Sequence, residues 1–279
     1  MNGKINSATT GPAGLRERLR RGAGALLERL LPNECALCGG ASEDALCPGC
    51  IDQFFGPSAT RARCRRCANP LPERTERSES EHPRSHPGSG PPIAHGLDGQ
   101  LCGVCLADPP AFDRTLVAAD YALPVDQLVL QLKFGHRLAL APLCARLLRD
   151  AVLSHPDTTL PALLCPVPLG PRRLAERGYN QALEIARPLA RSMGVALHAQ
   201  LVVRVHETAA QSSVAPERRQ QNIAGAFAVP DAALVAGRHI GVVDDVMTSG
   251  RTLNELAATL KRHGAAQVSN FVFARTPPH

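Results

Sequence analysis

Residues 239–252, His-Ile-Gly-Val-Val-Asp-Asp-Val-Met-Thr-Ser-Gly-Arg-Thr, run from an apolar strand pattern into two adjacent carboxylates, then a short turn, then a helical pattern. Each part suits one task in holding an anion. Gly250 lets the backbone curl tightly, the amides from Thr248 to Thr252 can point inward, and the Thr248, Ser249 and Thr252 hydroxyls add donors. The helix that follows brings its positive N-terminal end. Asp244 and Asp245 stand just upstream, where sugar hydroxyls or a bound Mg²⁺ would be held. A phosphate cradle flanked by carboxylates suits a sugar phosphate. The chain has no G-x-x-x-x-G-K-[ST] and no G-x-G-x-x-G after a strand, which removes the Walker-type and dinucleotide readings.

A second chemistry is written in the cysteines. Eight of the ten fall in four C-x-x-C pairs, Cys35/Cys38, Cys47/Cys50, Cys64/Cys67 and Cys102/Cys105. Two such knuckles close a tetrahedral four-thiolate shell around zinc with no open position, which makes the site structural. One or two Zn²⁺ sites are expected, and the spacing leaves the pairing of knuckles open, because loop-closure cost grows only slowly with length. Disulfides are disfavoured without a secretion signal, and a redox dithiol needs one pair rather than four. Cys144 and Cys165 lie in apolar surroundings and read as small core residues. Each four-thiolate zinc shell is formally 2−, so two would cancel most of the formal +6 and weaken any argument from basicity for nucleic acid. Arg61, Arg63, Arg65 and Arg66 flank the third knuckle, where balancing thiolate charge is the simplest reading.

The surrounding elements must position these groups. At 44% hydrophobic and 20% charged, the 279 residues make one large domain or two modest ones, with no apolar run of membrane-spanning length and no secretory h-region; a cytoplasmic protein is expected. Residues 1–31 read as a tail and a basic amphipathic helix ending at Pro32, residues 32–110 as a cysteine-rich module, and 111–279 as an α/β domain. Within the module, residues 70–100 are polar and rich in Pro and Ser, which reads as a flexible insertion. His82, His86 and His95 inside it have no ligand spacing. Past residue 111, strands are expected at 115–121, 162–167, 200–205, 239–244 and 267–274, and helices at 125–152, 179–193 and 252–263. That alternation predicts a doubly wound, mostly parallel sheet with ligands outside the carboxyl ends of its strands, near the loops after 167 and 244.

With these motifs in place, the chain resembles the ComF family, in which a zinc ribbon precedes a type I phosphoribosyltransferase domain. VVDDVMTSGRT is similar to the superfamily's binding loop for phosphoribosyl pyrophosphate. Three further stretches resemble this family in particular: Cys165-Pro-Val-Pro-Leu with Arg172 to Gln181, Gln211 through Asn222 to Phe227, and Leu132-Lys133-Phe134. The resemblance implies that Asp244 and Asp245 contact the ribose, directly or through Mg²⁺, and that Thr248, Ser249, Gly250, Arg251 and Thr252 hold the 5′-phosphate. It also places a pyrophosphate loop at Pro166 to Arg173, with Arg172, Arg173 and Arg177 as anion partners. Lys133, Gln211, Arg218, Arg219 and Asn222 would come from a hood over the pocket.

Two classes of function follow from the resemblance. One is a sugar-phosphate-binding protein that serves natural competence, with single-stranded DNA and the uptake machinery as partners. The other is an active phosphoribosyltransferase in nucleotide metabolism or salvage. With seven Phe, two Tyr and no Trp, the chain is poor in the stacking platforms that single-strand binders use.

Overall fold

The computed structural model describes residues 33–57, 61–72, 101–155, 157–205 and 225–277. The segment 15–31, the insertion from residue 73 with its three histidines, and the predicted hood residues Gln211, Arg218, Arg219 and Asn222 lie outside them. Backbone contacts divide the chain into two compact units, Met1–Ile51 and Asp52–His279. In the first, β1 (Asn33–Glu34) and β2 (Ala41–Ser42) form an antiparallel ribbon; helix α1 (Pro48–Phe55) follows, and the division falls within it. The second cysteine pairs, Cys64/Cys67 and Cys102/Cys105, fall in the same unit as the sheet.

That unit runs through α2 (Gly103–Ala107), β3 (Arg114–Asp120), α3 (Asp126–Lys133), α4 (Leu140–Leu153), β4 (Leu163–Pro166), α5 (Pro171–Arg177), α6 (Gln181–Met193), β5 (Ala196–Leu197), β6 (Val203–Arg204), β7 (Phe227–Ala228), β8 (His239–Met247), α7 (Arg251–Arg262) and β9 (Gln267–Arg275). Five strands pair in the order β3-β9-β8-β4-β5, every pair parallel. A parallel sheet needs cover on both faces, and the strand sequences supply it: β9 is buried from Val268 to Arg275, and Ile240, Val242 and Val243 of β8 are fully buried. Gly241 is required by packing. A Cβ there would lie 2.5 Å from Leu164 Cδ2 and 2.8 Å from Phe271 Cε2.

Helices α4 and α6 pack on each other and on the sheet. Helix α7 buries Leu253, Leu256, Ala257 and Leu260, an i, i+3, i+4, i+7 stripe. The chain leaves β4 toward β5 but leaves β8 toward β9 on the opposite side, so right-handed crossovers put their helices on opposite faces. The β4–β8 pair is therefore the switch point of the sheet, and in sheets of this kind ligands bind outside the carboxyl ends of the strands at that point.

Three local expectations are corrected. The helix expected over 125–152 is two, α3 and α4, because Gly135 and His136 break it; His136 has φ 52°. The strand expected at 200–205 is only Val203–Arg204, paired antiparallel with β7 away from the main sheet. The fifth strand of the sheet is instead β5, two residues parallel to Leu163 and Leu164. Among the described residues no helix is long and apolar enough to cross a membrane.

Candidate functional site

The turn after β8 stands at the switch point. Strand β8 carries Asp244 and Asp245 near its carboxyl end, Thr248 and Ser249 form an exposed bend, and Gly250 enters α7 with φ 77°. That left-handed backbone favours glycine, and a Cβ at Gly250 would also meet Met247 Cε at 2.5 Å. The first amides of α7 have no carbonyl partner within the helix and add to its positive end, so turn and helix together favour an anion. Thr248, Ser249, Gly250, Arg251 and Thr252 are thus gathered by one chain reversal.

The carboxylates are held by residues distant in sequence. Asp245 is 2% exposed; its Oδ2 lies 2.5 Å from Lys133 Nζ, and its Oδ1 accepts a hydrogen bond from Gln181 Nε2 at 3.1 Å. Asp244 is half-buried, and its Oδ1 accepts the Asp245 amide at 2.9 Å. Burial, then the charge of Asp245, hold the Asp244 carboxyl well above the usual carboxylate range, with Lys133 opposing them. Lys133 pairs with Asp245, so an ionised Asp244 would lack full compensation, which suits it to hydroxyl partners or to a divalent cation that would favour its charged form.

Local structure explains why Lys133 and Gln181 arrive there. Lys133 is the last residue of α3, ended by the Gly135–His136 turn. Gln181 opens α6, whose cap Asn180 accepts the Ala182 amide at 3.0 Å and donates to the Val167 carbonyl at 3.0 Å, tying the helix start to the end of β4. Arg177 donates to Gln181 Oε1 and lies 5.5 Å from the centroid of the exposed Phe134 ring; Tyr179 donates to the Leu132 carbonyl. Two of the stretches singled out in the sequence therefore meet around Asp245. Gln181 and Tyr179 were missed as functional side chains, since neither has distinctive chemistry until its distant partner is known.

The basic segment differs from expectation in form. Pro171–Arg177 is a helix, α5, so the connection leaving β4 is only the short run from Val167 to Gly170. Arg172 pairs with Glu176 at 2.8 Å, Arg173 is exposed, and Arg177 is engaged with Gln181 and Phe134. Arg63 pairs with Asp120 at 2.8 Å and with the Ala68 carbonyl at 3.2 Å, and Arg66 donates to the Pro110 carbonyl, so these two arginines tie backbone segments together.

The cysteines form two clusters, Cys35, Cys38, Cys47 and Cys50 in one, Cys64, Cys67, Cys102 and Cys105 in the other, each with sulfurs within 4.8 Å of one another. The pairing left open by spacing is sequential. Cys38 and Cys47 sulfurs lie 3.8 Å apart, and Cys67 and Cys102 sulfurs 3.6 Å apart. A tetrahedral shell with bonds of about 2.3 Å brings sulfurs to about 3.8 Å, so the donors fit structural zinc. Backbone amides aid ionisation. Burial pushes the Cys35 thiol up, but hydrogen bonds from the backbone at Cys38, Cys47 and Leu37 outweigh it and bring its pKa to about 6. Cys64 is similarly brought to about 7. Cys144 and Cys165 are fully buried, and burial pushes both thiols up to about 12, which makes them inert core residues.

Comparison with known proteins agrees with this layout. A family model described as a double zinc ribbon domain matches residues 26–83, and one described as a phosphoribosyl transferase domain matches 180–278. The DNA utilization protein YhgH of Salmonella typhimurium is 39% identical over 193 residues, spanning 68% of this chain and 83% of that protein. Competence protein F of Haemophilus influenzae is 33% identical over 181 residues, spanning 63% and 79%. Among solved structures, glutamine phosphoribosylpyrophosphate amidotransferase from B. subtilis, complexed with ADP and GMP, aligns with 48% of this chain and 26% of its own at 14% identity and a TM-score of 0.33. A zinc ribbon with two four-cysteine clusters, a parallel phosphoribosyltransferase-like sheet and relatives of this identity and coverage together show that the chain belongs to the ComF family.

Proposed function

We propose that the protein binds phosphoribosyl pyrophosphate, or a closely related sugar phosphate, outside the carboxyl ends of β4 and β8, and does so in the cytoplasm in the service of DNA uptake. The observation that carries this reading is the junction of β8 and α7, where a left-handed Gly250 turns the chain into a helix start directly beside two carboxylates. The 5′-phosphate would lie against the turn amides and hydroxyls, where the helix end stabilises negative charge. Asp244, the more accessible carboxylate, would accept from the ribose hydroxyls, and Asp245, locked by Lys133 and Gln181, would hold Asp244 in place. Arg173, exposed on α5, and Arg177 would meet the pyrophosphate. A magnesium ion held at Asp244 would supply charge to offset the pyrophosphate.

Titration calorimetry on the full chain with phosphoribosyl pyrophosphate and Mg²⁺ tests the reading. Saturable binding is expected, weakened about tenfold or more by Asp244→Asn, the loss of one charge-assisted contact. A wild-type chain with no binding, or a variant with unchanged affinity, would overturn it. Pyrophosphate release in the presence of a panel of nucleobases would identify an active transferase; a ligand that is bound but not consumed would mark a sensor or carrier.

The role in DNA uptake draws support from the relatives' names, DNA utilization protein and Competence protein F. A fluorescently labelled single strand should bind with an affinity that falls steeply as salt is raised. Absence of binding even at low salt would remove direct DNA contact from the proposal.

A further inference from the structure

Arg275 is the last residue of β9 and is 6% exposed, a depth at which arginine is rare unless its donors are met. Nε and Nη1 are engaged from two directions. Nε donates to the Cys67 carbonyl at 2.9 Å, while Nη1 donates to the carbonyls of Met247, at 3.1 Å, Thr248, at 2.5 Å, and Thr276. Cys67 belongs to the second four-cysteine cluster; Met247 and Thr248 are the last residue of β8 and the first of the anion turn. One planar guanidinium thus spans the metal knuckle and the phosphate cradle.

The knuckle itself is fastened to the sheet. The Arg65 carbonyl accepts the Thr115 amide of β3 at 3.1 Å, Arg63 reaches Asp120, and Cys64, Cys67 and Cys105 share one hydrophobic cluster with Phe112, Met247 and Leu253. The Asn254 side chain on α7 accepts the Ala111 amide at 2.7 Å, a second tie between the segment after Cys105 and the helix that the turn opens. Cys64 and Cys67 reach Cys102 and Cys105 across residues 68–101, so a metal ion is what would hold the two knuckles in register.

We propose that Arg275 is a positioning residue through which metal occupancy of the Cys64, Cys67, Cys102 and Cys105 cluster fixes the Thr248–Thr252 turn. Zinc closes the knuckle and sets the Cys67 carbonyl; the carbonyl orients the guanidinium; the buried guanidinium turns the Met247 and Thr248 carbonyls toward itself, which leaves the following amides facing the opposite way. The geometry asks for arginine, because a lysine ammonium cannot hold a rigid fork across both sets of carbonyls. For its functional consequence the inference rests on the turn being a phosphate cradle, but its test does not.

Amide hydrogen exchange on the full chain reads the turn directly. Zinc-loaded wild type is compared with Arg275→Lys, with Cys102→Ser and with chelator-treated protein, zinc content being measured in each. Exchange in peptides covering 248–252 should rise about tenfold or more in all three, while peptides from the core of β8 and from α6 keep their protection. Arg275→Lys should do so with its zinc intact. Unchanged exchange at 248–252 in Arg275→Lys, or a rise shared equally with the core of β8, would overturn the proposal. Added phosphoribosyl pyrophosphate separates the two readings. If wild type binds it, Arg275→Lys should bind about tenfold more weakly. A wild type that fails to bind it refutes the ligand assignment and leaves the exchange comparison to decide the role of Arg275.

Discussion

Asp245 is a carboxylate almost out of contact with water, tolerable because Lys133 and Gln181 meet both of its oxygens. Removing the cation strands the anion. Lys133→Met should therefore destabilise the fold by about 2 kcal/mol, less than for a fully buried pair because Lys133 still reaches solvent, read as a lower urea midpoint at neutral pH. Asp244 behaves in the opposite sense. Its carboxyl is held above the ordinary range by burial and by Asp245, so the folded state prefers it protonated. Stability from this group is present at low pH and is lost as pH rises from about 4, the unfolded value, through the raised folded value. Asp244→Asn should melt higher than wild type at pH 7, with the gap closing toward pH 4, while losing ligand affinity. A variant that melts lower at pH 7 would mean that Asp244 is stabilising as an anion. The sequence displayed Asp244, Asp245 and the Thr-Ser-Gly turn because they are contiguous. It did not display the roles of Gln181, 64 residues from its partner, or of Arg275, 208 residues from Cys67, since those roles exist only through contacts made on folding.

At the level of elements, the turn works because strand, turn and helix are joined at one backbone angle. Replacing Gly250 by Val forces a β-branched residue to φ 77° and drives a Cβ toward Met247 Cε, so both strain and repacking oppose it. Gly250→Val should cost about 2 kcal/mol in thermal unfolding, more than a left-handed residue alone, and should abolish phosphate-ester binding even at temperatures where the protein remains folded. The periodic elements were readable for the same reason that they are stable: α7 shows its stripe of Leu253, Leu256, Ala257 and Leu260, and β8 and β9 carry the apolar runs Ile240–Val243 and Phe271–Ala274. Two features carried no such signal. The break between α3 and α4 depends on a left-handed His136, a conformation few sequence rules assign to histidine, and β5 is only two residues long, too short for any period to register. A short edge strand needs only the ladder offered by Leu163 and Leu164, and tertiary pairing supplies what the local pattern lacks.

For the whole molecule, the consequential fact is where each metal cluster lies. One cluster is in Met1–Ile51; the other is in the unit that holds the sheet and shares its apolar core. Metal analysis should find two zinc ions per chain, one fewer in Cys102→Ser. The second cluster also has a task that spacing alone did not disclose. Strand β3 is an edge of the five-stranded sheet, and an open edge presents unpaired amides and carbonyls to any other strand. The Cys64–Cys67 knuckle lies against that strand: the Arg65 carbonyl takes the Thr115 amide, and Arg63 pairs with Asp120 at the strand's far end. Without the metal nothing joins Cys64 and Cys67 to Cys102 and Cys105, and loss of that tie would free the knuckle, uncovering the edge together with the apolar side chains packed behind Cys64 and Cys105. Stripping zinc should therefore do more than lower the melting temperature. It should produce concentration-dependent association visible in light scattering, reproduced by Cys102→Ser in the presence of zinc and reversed in wild type when zinc is restored. A stripped protein that stays monomeric while its main transition falls would show that the knuckle supports the core without guarding the edge.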